Sequence, residues 1–184
     1  MDTEKKSKIS IRELCLIGMF VAIIAVCAQI SIPQPGGVPF TLQAWAISLA
    51  GLVLGPKNGT ITAIAYVLIG AVGAPVFAAF SGGFGVIMRP TGGFILSFPV
   101  VALLAGLGDR KGKIVWIYLG LAAGSIFNWI AGLLWFTFIT EFSLAVSFGY
   151  AVAPFIIVGV VRTAVLPALS KSLKFAMKKA KVAV

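Results

Sequence analysis

The chain has 184 residues, of which 60% are hydrophobic and 11% are charged, and its formal net charge is +10. Soluble globular domains carry about 25% charged residues and about 45–50% apolar residues, so this composition excludes a soluble globular protein. The long charge-free runs allow several crossings of a bilayer, each of which needs about 20 residues. The sequence predicts a single integral membrane domain that occupies residues 1–184.

Hydropathy and the positions of proline and glycine predict an all-α bundle of six transmembrane helices. The first helix ends before residues 31–37 (SIPQPGG), whose two prolines and two glycines cannot continue it. Gly55 and Pro56 end the second helix, and a glycine-rich segment, residues 81–93, follows the third. The predicted helices span residues 12–30, 41–54, 59–80, 93–107, 114–140 and 150–175.

The basic residues predict the topology of these helices. All Lys and Arg residues except Arg89 and Arg162 lie near the N-terminus, at Lys57, in residues 110–113 or in the C-terminal tail. With six helices, these four groups fall on the cytoplasmic side, where short loops retain basic residues. Both termini are therefore predicted to be cytoplasmic in a multi-pass protein of the cell membrane. This distribution explains the positive charge without a nucleic-acid partner.

The composition also argues against catalysis and metal binding. The chain has no histidine and five acidic residues, so it lacks an imidazole base and the commonest metal ligand. No pair of carboxylates lies within the apolar segments. Cys15 and Cys27 are about 18 Å apart along one predicted helix, too far for a disulfide between them. We predict that the protein is not an enzyme and has no metal site or cofactor.

Arg162 lies in the middle of the sixth predicted helix, where an arginine costs ~2.5 kcal/mol or more. One interpretation is that lipid headgroups or backbone carbonyls satisfy it; the other is that it contacts an anionic ligand. No acidic residue of the same apolar segment lies near it, which favours a ligand. We therefore expect Arg162, more than Arg89, to bind a ligand carboxylate.

Other candidate ligand contacts lie near the same predicted side of the membrane. The glycine-rich segment leads into the N-terminus of the fourth helix, and helix N-termini attract anions. Side-chain amides from two further helices add hydrogen-bonding groups. Glycine-rich segments are also often plain loops, and amides in membrane helices often pair with one another. The candidates are Gln43, Phe84, Arg89, Thr91, Gly92 and Asn128.

Small residues repeat along one face of the first predicted helix, at Gly18, Ala22 and Ala25. Their spacing allows another helix to approach closely. The neighbouring helix belongs either to the same bundle or to a partner subunit, and the spacing alone fits both. The face is a candidate partner interface.

Residues 38–43 (VPFTLQ) and 49–56 (LAGLVLGP) resemble those of the BioY family, the biotin-specific S components of energy-coupling factor (ECF) transporters. Residues 82–85 (GGFG), residues 90–94 (PTGGF) and Asn128 are similar to later elements of the same family. The resemblance covers nearly the whole chain. It implies a six-helix, S-component-like bundle in a prokaryotic plasma membrane that binds biotin with high affinity at the outer face.

The resemblance also implies partners. S components of this kind work with a membrane-embedded coupling subunit and two ATPase subunits, which hydrolyse ATP for import. Docking on small residues of the first helix, here Gly18 and Ala22, is implied as well. The residues alone leave two alternatives open: an S component for another vitamin, and a stand-alone facilitator or channel. The apolar fourth helix argues against a polar path across the bilayer.

The chain departs from the family pattern at one pair of positions. Family members commonly carry an Asp and, three residues later, a Lys in the sixth helix. The matching residues here are Gly159 and Arg162. The cation is kept as arginine, whereas the acid is lost.

Overall fold

Apolar segments that cross lipid fold as helices because every backbone polar group must find a partner inside the segment. The computed structural model describes residues 10–180, which are mostly helical. In chain order the elements are α1 (Ile11–Gln29), β1 (Ser31–Ile32), β2 (Phe40–Thr41), α2 (Gln43–Ala71), a 3-10 helix (Ala78–Phe80), α3 (Phe84–Ile87), α4 (Gly92–Arg110), α5 (Ile114–Thr140), α6 (Leu144–Ala151) and α7 (Ala153–Lys179).

Within residues 10–180, five helices are long and apolar enough to cross a membrane: α1, α2, α4, α5 and α7. Their outward faces carry exposed large apolar side chains, such as Leu134 on α5 and Ile157 on α7, as expected for surfaces in contact with lipid. The prediction of a helical membrane protein agrees with this architecture. Counted as continuous helices, the spans number five, whereas the sequence predicts six.

The difference in count arises from a sharp reversal inside α2. Gly55 has φ 78° and ψ 176°, which is not helical. A straight helix would separate Gln43 and Tyr66 by about 35 Å, yet Gln43 Nε2 lies 2.7 Å from the Tyr66 hydroxyl. The chain therefore folds back at Gly55, and α2 consists of two antiparallel arms, the first arm (residues 43–54) and the second arm (residues 56–71).

Two predicted helix boundaries are wrong. The third predicted helix, residues 59–80, ends at Ala71, because Gly73 has φ 121° and Pro75 follows it. The remainder forms the 3-10 helix and α3 rather than a further length of span. The sixth predicted helix, residues 150–175, is divided between α6 and α7, because Val152 leaves the helical conformation just before Pro154.

α4 packs between α2 on one side and α5 on the other. A side chain at Gly51 would overlap the backbone of Ala102, so the first arm and α4 touch backbone to backbone. Gly108 and Gly120 form a similar close approach between α4 and α5. Small residues permit such contacts where dispersion and packing, rather than water, hold helices together.

The two ends of the bundle differ in chemistry. At one end, Glu13 accepts a hydrogen bond of 3.0 Å from Asn58, and Lys174 Nζ lies 2.5 Å from Asp109 Oδ2. The opposite end carries the antiparallel pair β1–β2, in which Ser31 lies opposite Thr41. Residues 72–91 lie at this second end, which we call the hairpin end.

Candidate ligand-binding site

A cavity of about 520 Å³ lies at the hairpin end of the bundle. Its walls come from the β1–β2 hairpin, the start of α2, residues 77–81, residues 89–91, and the facing sides of α4, α5 and α7. This volume lies within the range of pockets that enclose most of a small organic ligand. Side chains far apart in the sequence therefore line one space.

Residues 77–81 form one wall, and the side chain of Gln29 at the end of α1 holds them. Gln29 Nε2 donates to the carbonyl of Phe77 (3.2 Å), and its Oε1 accepts from the backbone N–H of Phe80 (2.8 Å). Ala79 and Phe80 have φ of 54° and 52°, a conformation that costs a residue with a Cβ about 1–2 kcal/mol. The two hydrogen bonds offset part of this cost.

Arg162 lies in the cavity wall and is 4% exposed. Its Nη2 donates to Ser125 Oγ at 2.5 Å, and the hydroxyl of Ser125 in turn donates to the carbonyl of Leu121. Within residues 10–180, Arg162 Nε has no hydrogen-bond partner, although it is buried. A buried guanidinium with an unpaired donor is a suitable group for an anionic or strongly accepting ligand.

Arg89 and Thr91 also line the cavity, as the sequence predicts for this segment. Arg89 is exposed, unlike Arg162, and its carbonyl accepts a hydrogen bond of 3.1 Å from Trp135 Nε1. The two arginines therefore occupy different environments of one cavity. Within the described part of the chain, they are its only lining residues with ionisable side chains, so the site has a positive potential.

Gln43 and Asn128 line the cavity as well, and each is 5% exposed. Gln43 contacts the Tyr66 hydroxyl, and Asn128 Nδ2 donates to the carbonyl of Phe94 (3.1 Å) and to Ser97 Oγ (2.6 Å). The structure thus brings together five of the seven predicted ligand contacts. Their roles in binding stay predictions.

Phe84 and Gly92 lie outside the cavity lining. Phe84 is 64% exposed on α3. Gly92 is buried, its N–H donates to the carbonyl of Arg89 at 2.9 Å, and the carbonyl of Ile87 lies too close for any side chain. The Gly92 N–H is therefore used within the protein, and the roles of Phe84 and Gly92 in binding stay predictions.

Aromatic side chains that the site prediction does not include form much of the cavity wall. They come from one strand, four helices and the loop before the 3-10 helix, so no local motif marks them. They are Phe40, Trp45, Phe77, Phe94, Phe98, Trp129 and Phe155. Such rings give a ligand a large apolar contact area.

Gly159, at the position where the family resemblance leads us to expect an Asp, also lines the cavity. The indole ring of Trp129 packs directly against it, and a Cβ at this position would overlap that ring. An acid at position 159 would have to displace Trp129.

The predicted partner interface lies away from the cavity, on α1. Gly18 and Ala22 are exposed, and no described heavy atom lies within 4 Å of a Cβ built at Gly18. Ala25 is partly buried and packs against the core. Gly18 and Ala22 therefore do not pack inside this bundle.

The fold and the site together define a class of protein. It is a multi-pass membrane protein whose bundle holds, at one end, a cavity with apolar aromatic walls, two arginines and three side-chain amides. Pockets of this kind bind small molecules through a few polar groups that fix orientation.

Comparison with known proteins identifies the family. The BioY family profile matches residues 2–179, and the chain belongs to this family, whose members are transporter components rather than enzymes. It is 41% identical over 163 residues to "Probable biotin transporter BioY" of Pyrococcus horikoshii, covering 89% of this chain and 96% of the relative. It is 38% identical over 165 residues to "Biotin transporter BioY" of Thermotoga maritima, again covering 89% and 96%.

A solved structure has the same fold. The crystal structure of the S-component for biotin from an ECF-type ABC transporter superposes with a TM-score of 0.77 and 25% sequence identity. The match covers 94% of both chains. The resemblance to the BioY family and the location in the cell membrane are therefore confirmed.

Proposed function

We propose that this protein is the S component of an ECF transporter and captures biotin with high affinity in the cavity at the hairpin end. The observation that carries this proposal is the buried, incompletely paired Arg162 in an aromatic-walled cavity without acidic side chains. Biotin combines an apolar bicyclic ring system, a ureido group and a carboxylate, and the cavity has groups that suit each. Further proposed contacts with biotin are Arg89, Thr91, Gln43 and Asn128.

The proposed topology has six membrane segments, with both termini in the cytoplasm. The two antiparallel arms of α2 count as separate segments, which raises the five continuous helices to six. The end that carries Asp109 and Lys174 then faces the cytoplasm together with Lys57 and the C-terminal basic residues. The cavity faces outward, as capture of an external vitamin requires.

The proposed partners are a membrane-embedded coupling subunit and two ATPase subunits that supply the energy for import. Gly18 and Ala22 on the outward face of α1 are the proposed contact with the coupling subunit, because small residues allow helices to approach closely. Ala25, at the edge of this face, is partly covered by the bundle.

Titration of the purified protein with biotin in detergent tests the proposed function directly. We expect one site per chain, detected by isothermal titration and by a change in tryptophan fluorescence, since Trp45 and Trp129 line the cavity. Thiamin serves as the control ligand, because it is a cation and the cavity is lined by arginines. Absence of both signals with biotin, or tighter binding of thiamin, would contradict the proposal.

A further inference from the structure

Gln43 and Asn128 reach the cavity through side-chain amides that their neighbours hold in one orientation. An amide has an oxygen that accepts hydrogen bonds and a nitrogen that donates two. Its orientation therefore decides which group it presents to a ligand. In both residues, hydrogen bonds inside the protein determine this orientation.

The orientation of Gln43 follows from a chain of hydrogen bonds through Tyr66. A carbonyl oxygen only accepts, so the 2.7 Å contact between the Tyr66 hydroxyl and the carbonyl of Val76 uses the hydroxyl proton. The hydroxyl oxygen must then accept from Gln43, which places Nε2 on the side of Tyr66, at 2.7 Å. Tyr66 is fully buried, and its ring packs edge-on against Phe77 at 5.6 Å between centroids. The hydroxyl therefore has a fixed position.

The hydrogen bonds of Ser97 fix the orientation of the Asn128 amide in the same way. The Ser97 hydroxyl donates to the carbonyl of Phe94 at 2.8 Å, so its oxygen accepts from Asn128 Nδ2 at 2.6 Å. Nδ2 also donates to the carbonyl of Phe94 at 3.1 Å. Both N–H groups of Asn128 are thus engaged within the protein.

We infer that Tyr66 and Ser97 are positioning residues that make both amides hydrogen-bond acceptors toward the ligand. Within residues 10–180, neither Gln43 Oε1 nor Asn128 Oδ1 accepts a hydrogen bond, and both side chains line the cavity. The arginines contribute only donors, and among the described lining residues these two oxygens are the buried side-chain amide acceptors, since the third amide, that of Gln34, is only partly buried. The cavity therefore selects a ligand that carries N–H groups.

This inference rests on the proposed function, and it assigns the two amide oxygens to the two ureido N–H groups of biotin. A ligand without N–H groups would leave two nearly buried oxygens without partners. Sites built to bond an N–H group discriminate strongly against analogues that lack it. Selectivity for the ureido group is therefore set partly by Tyr66 and Ser97, which do not touch the ligand.

The test compares biotin with its cyclic carbonate analogue, in which oxygen atoms replace both ureido nitrogens. We expect the unaltered protein to bind biotin at least about tenfold more tightly than the carbonate. In Tyr66→Phe the Gln43 amide is free to turn, so the ratio of the two affinities should fall by about threefold or more. In Ser97→Ala the Asn128 amide keeps its bond to the carbonyl of Phe94, so the ratio should fall by a smaller factor.

Two buried hydroxyls outside the cavity lining provide matched controls. Thr62 lies one turn before Tyr66 and bonds to the carbonyl of Asn58, and Ser48 on the first arm bonds to that of Ala44. Thr62→Val and Ser48→Ala should leave the affinity ratio unchanged. If the positioning variants weaken both ligands equally, their hydroxyls only support the fold and the inference is wrong.

The unaltered protein keeps the test decisive even if a variant fails to fold. Equal affinity for biotin and the carbonate would overturn the assignment of the amide oxygens. Absence of biotin binding would instead contradict the proposed function. The two failures are therefore distinguishable in one titration series.

Discussion

Arg162 and Arg89 differ mainly in their exposure to water, and this difference bears on which of them binds a carboxylate. Arg162 is almost fully buried and donates to Ser125, whereas Arg89 is exposed. A charged group that has lost its hydration gains more from an opposite charge than an exposed one does. The proposed carboxylate partner is therefore Arg162.

Replacing Arg162 with methionine should weaken biotin binding by about tenfold to a hundredfold, because a charge-assisted hydrogen bond is worth about 1.5–3 kcal/mol. The loss should be much smaller for biotin amide, which has no carboxylate. Isothermal titration of Arg162→Met and Arg89→Met with both ligands measures this difference. Equal losses for biotin and the amide in Arg162→Met would mean that the arginine supports the fold rather than the carboxylate.

Gly159 provides a second test at the scale of one residue. A methyl group at this position would overlap the indole of Trp129, and because both residues line the cavity we expect the displaced ring to enter it. Gly159→Ala should therefore lower the affinity for biotin by about tenfold, in line with the 1–3 kcal/mol typical of overpacking. Gly149→Ala is the control, because no described heavy atom lies within 4 Å of its added carbon. Unchanged affinity in Gly159→Ala would show that the indole has room elsewhere.

The sequence reveals only part of this site, for physical reasons. An arginine inside an apolar segment stands out in the sequence because its burial is costly, and Arg162 is such a residue. Tyr66 and Ser97 resemble ordinary polar residues of a membrane helix, and only their partners Val76 and Phe94 reveal their effect. Such partners depend on helix packing, which local sequence does not encode.

At the scale of single elements, the outward face of α1 and the contact between α2 and α4 both depend on small residues, but for different reasons. Gly18 and Ala22 are exposed, so their size matters only for a partner outside the bundle. Gly51 is in backbone contact with Ala102 inside the bundle. Substitutions at the two places should therefore affect different measurements.

A bulky residue at Gly18 or Ala22 should prevent assembly with the coupling subunit and leave biotin affinity unchanged. The expected cause is a loss of close helix approach at the interface. Co-purification of Ala22→Leu with the tagged coupling and ATPase subunits measures assembly. Ala123→Leu, at an exposed alanine of α5, is the matched control. Normal yield of the complex with Ala22→Leu would place the interface on another face.

Gly51→Ala should instead destabilise the bundle. The added methyl overlaps backbone atoms of α4, which cannot rotate away, and overpacking of this kind typically costs about 1–3 kcal/mol. The melting temperature in detergent should fall by roughly 3–10 °C. Gly85→Ala, at an unobstructed helical glycine of α3, should melt like the unaltered protein. A melting temperature that stays the same in Gly51→Ala would contradict this contact.

Helix positions follow from the sequence better than helix connections do. The hydropathy pattern gives α1, α4 and α5 with ends within a few residues, because lipid enforces helicity on long apolar segments. Residues 72–80 are as apolar as a span, yet they fold as a loop because Gln29 and Tyr66 supply partners for their backbone. Those contacts are non-local, so the hydropathy pattern overestimates the length of the third predicted helix.

At the scale of the whole molecule, the reversal at Gly55 sets the topology. Cysteine variants in a Cys15→Ser, Cys27→Ser background test it by labelling with a membrane-impermeant maleimide. Gln34→Cys and Glu141→Cys should react in intact cells, whereas Lys57→Cys and Lys111→Cys should react only after permeabilisation, because basic loops stay cytoplasmic. Labelling of Lys57→Cys in intact cells would contradict a reversal at the cytoplasmic side.

The length of the first arm also has an electrical consequence. Residues 43–54 span about 18 Å as a helix, less than the hydrocarbon thickness of about 30 Å. In the proposed topology, with Gly55 near the cytoplasmic surface, Gln43 and the adjoining cavity lie below the outer surface. A bound carboxylate therefore lies within the transmembrane electric field.

Moving one charge across the whole field corresponds to about 2.3 kcal/mol at 100 mV. Each tenth of this field that an anion crosses therefore opposes binding by about 0.2 kcal/mol when the cell interior is negative. The affinity for anionic biotin should consequently rise slightly when the membrane is depolarised, while that for neutral biotin amide should stay constant. A cell with a strong membrane potential thus captures the anion against a small electrical force, which the buried guanidinium of Arg162 counteracts.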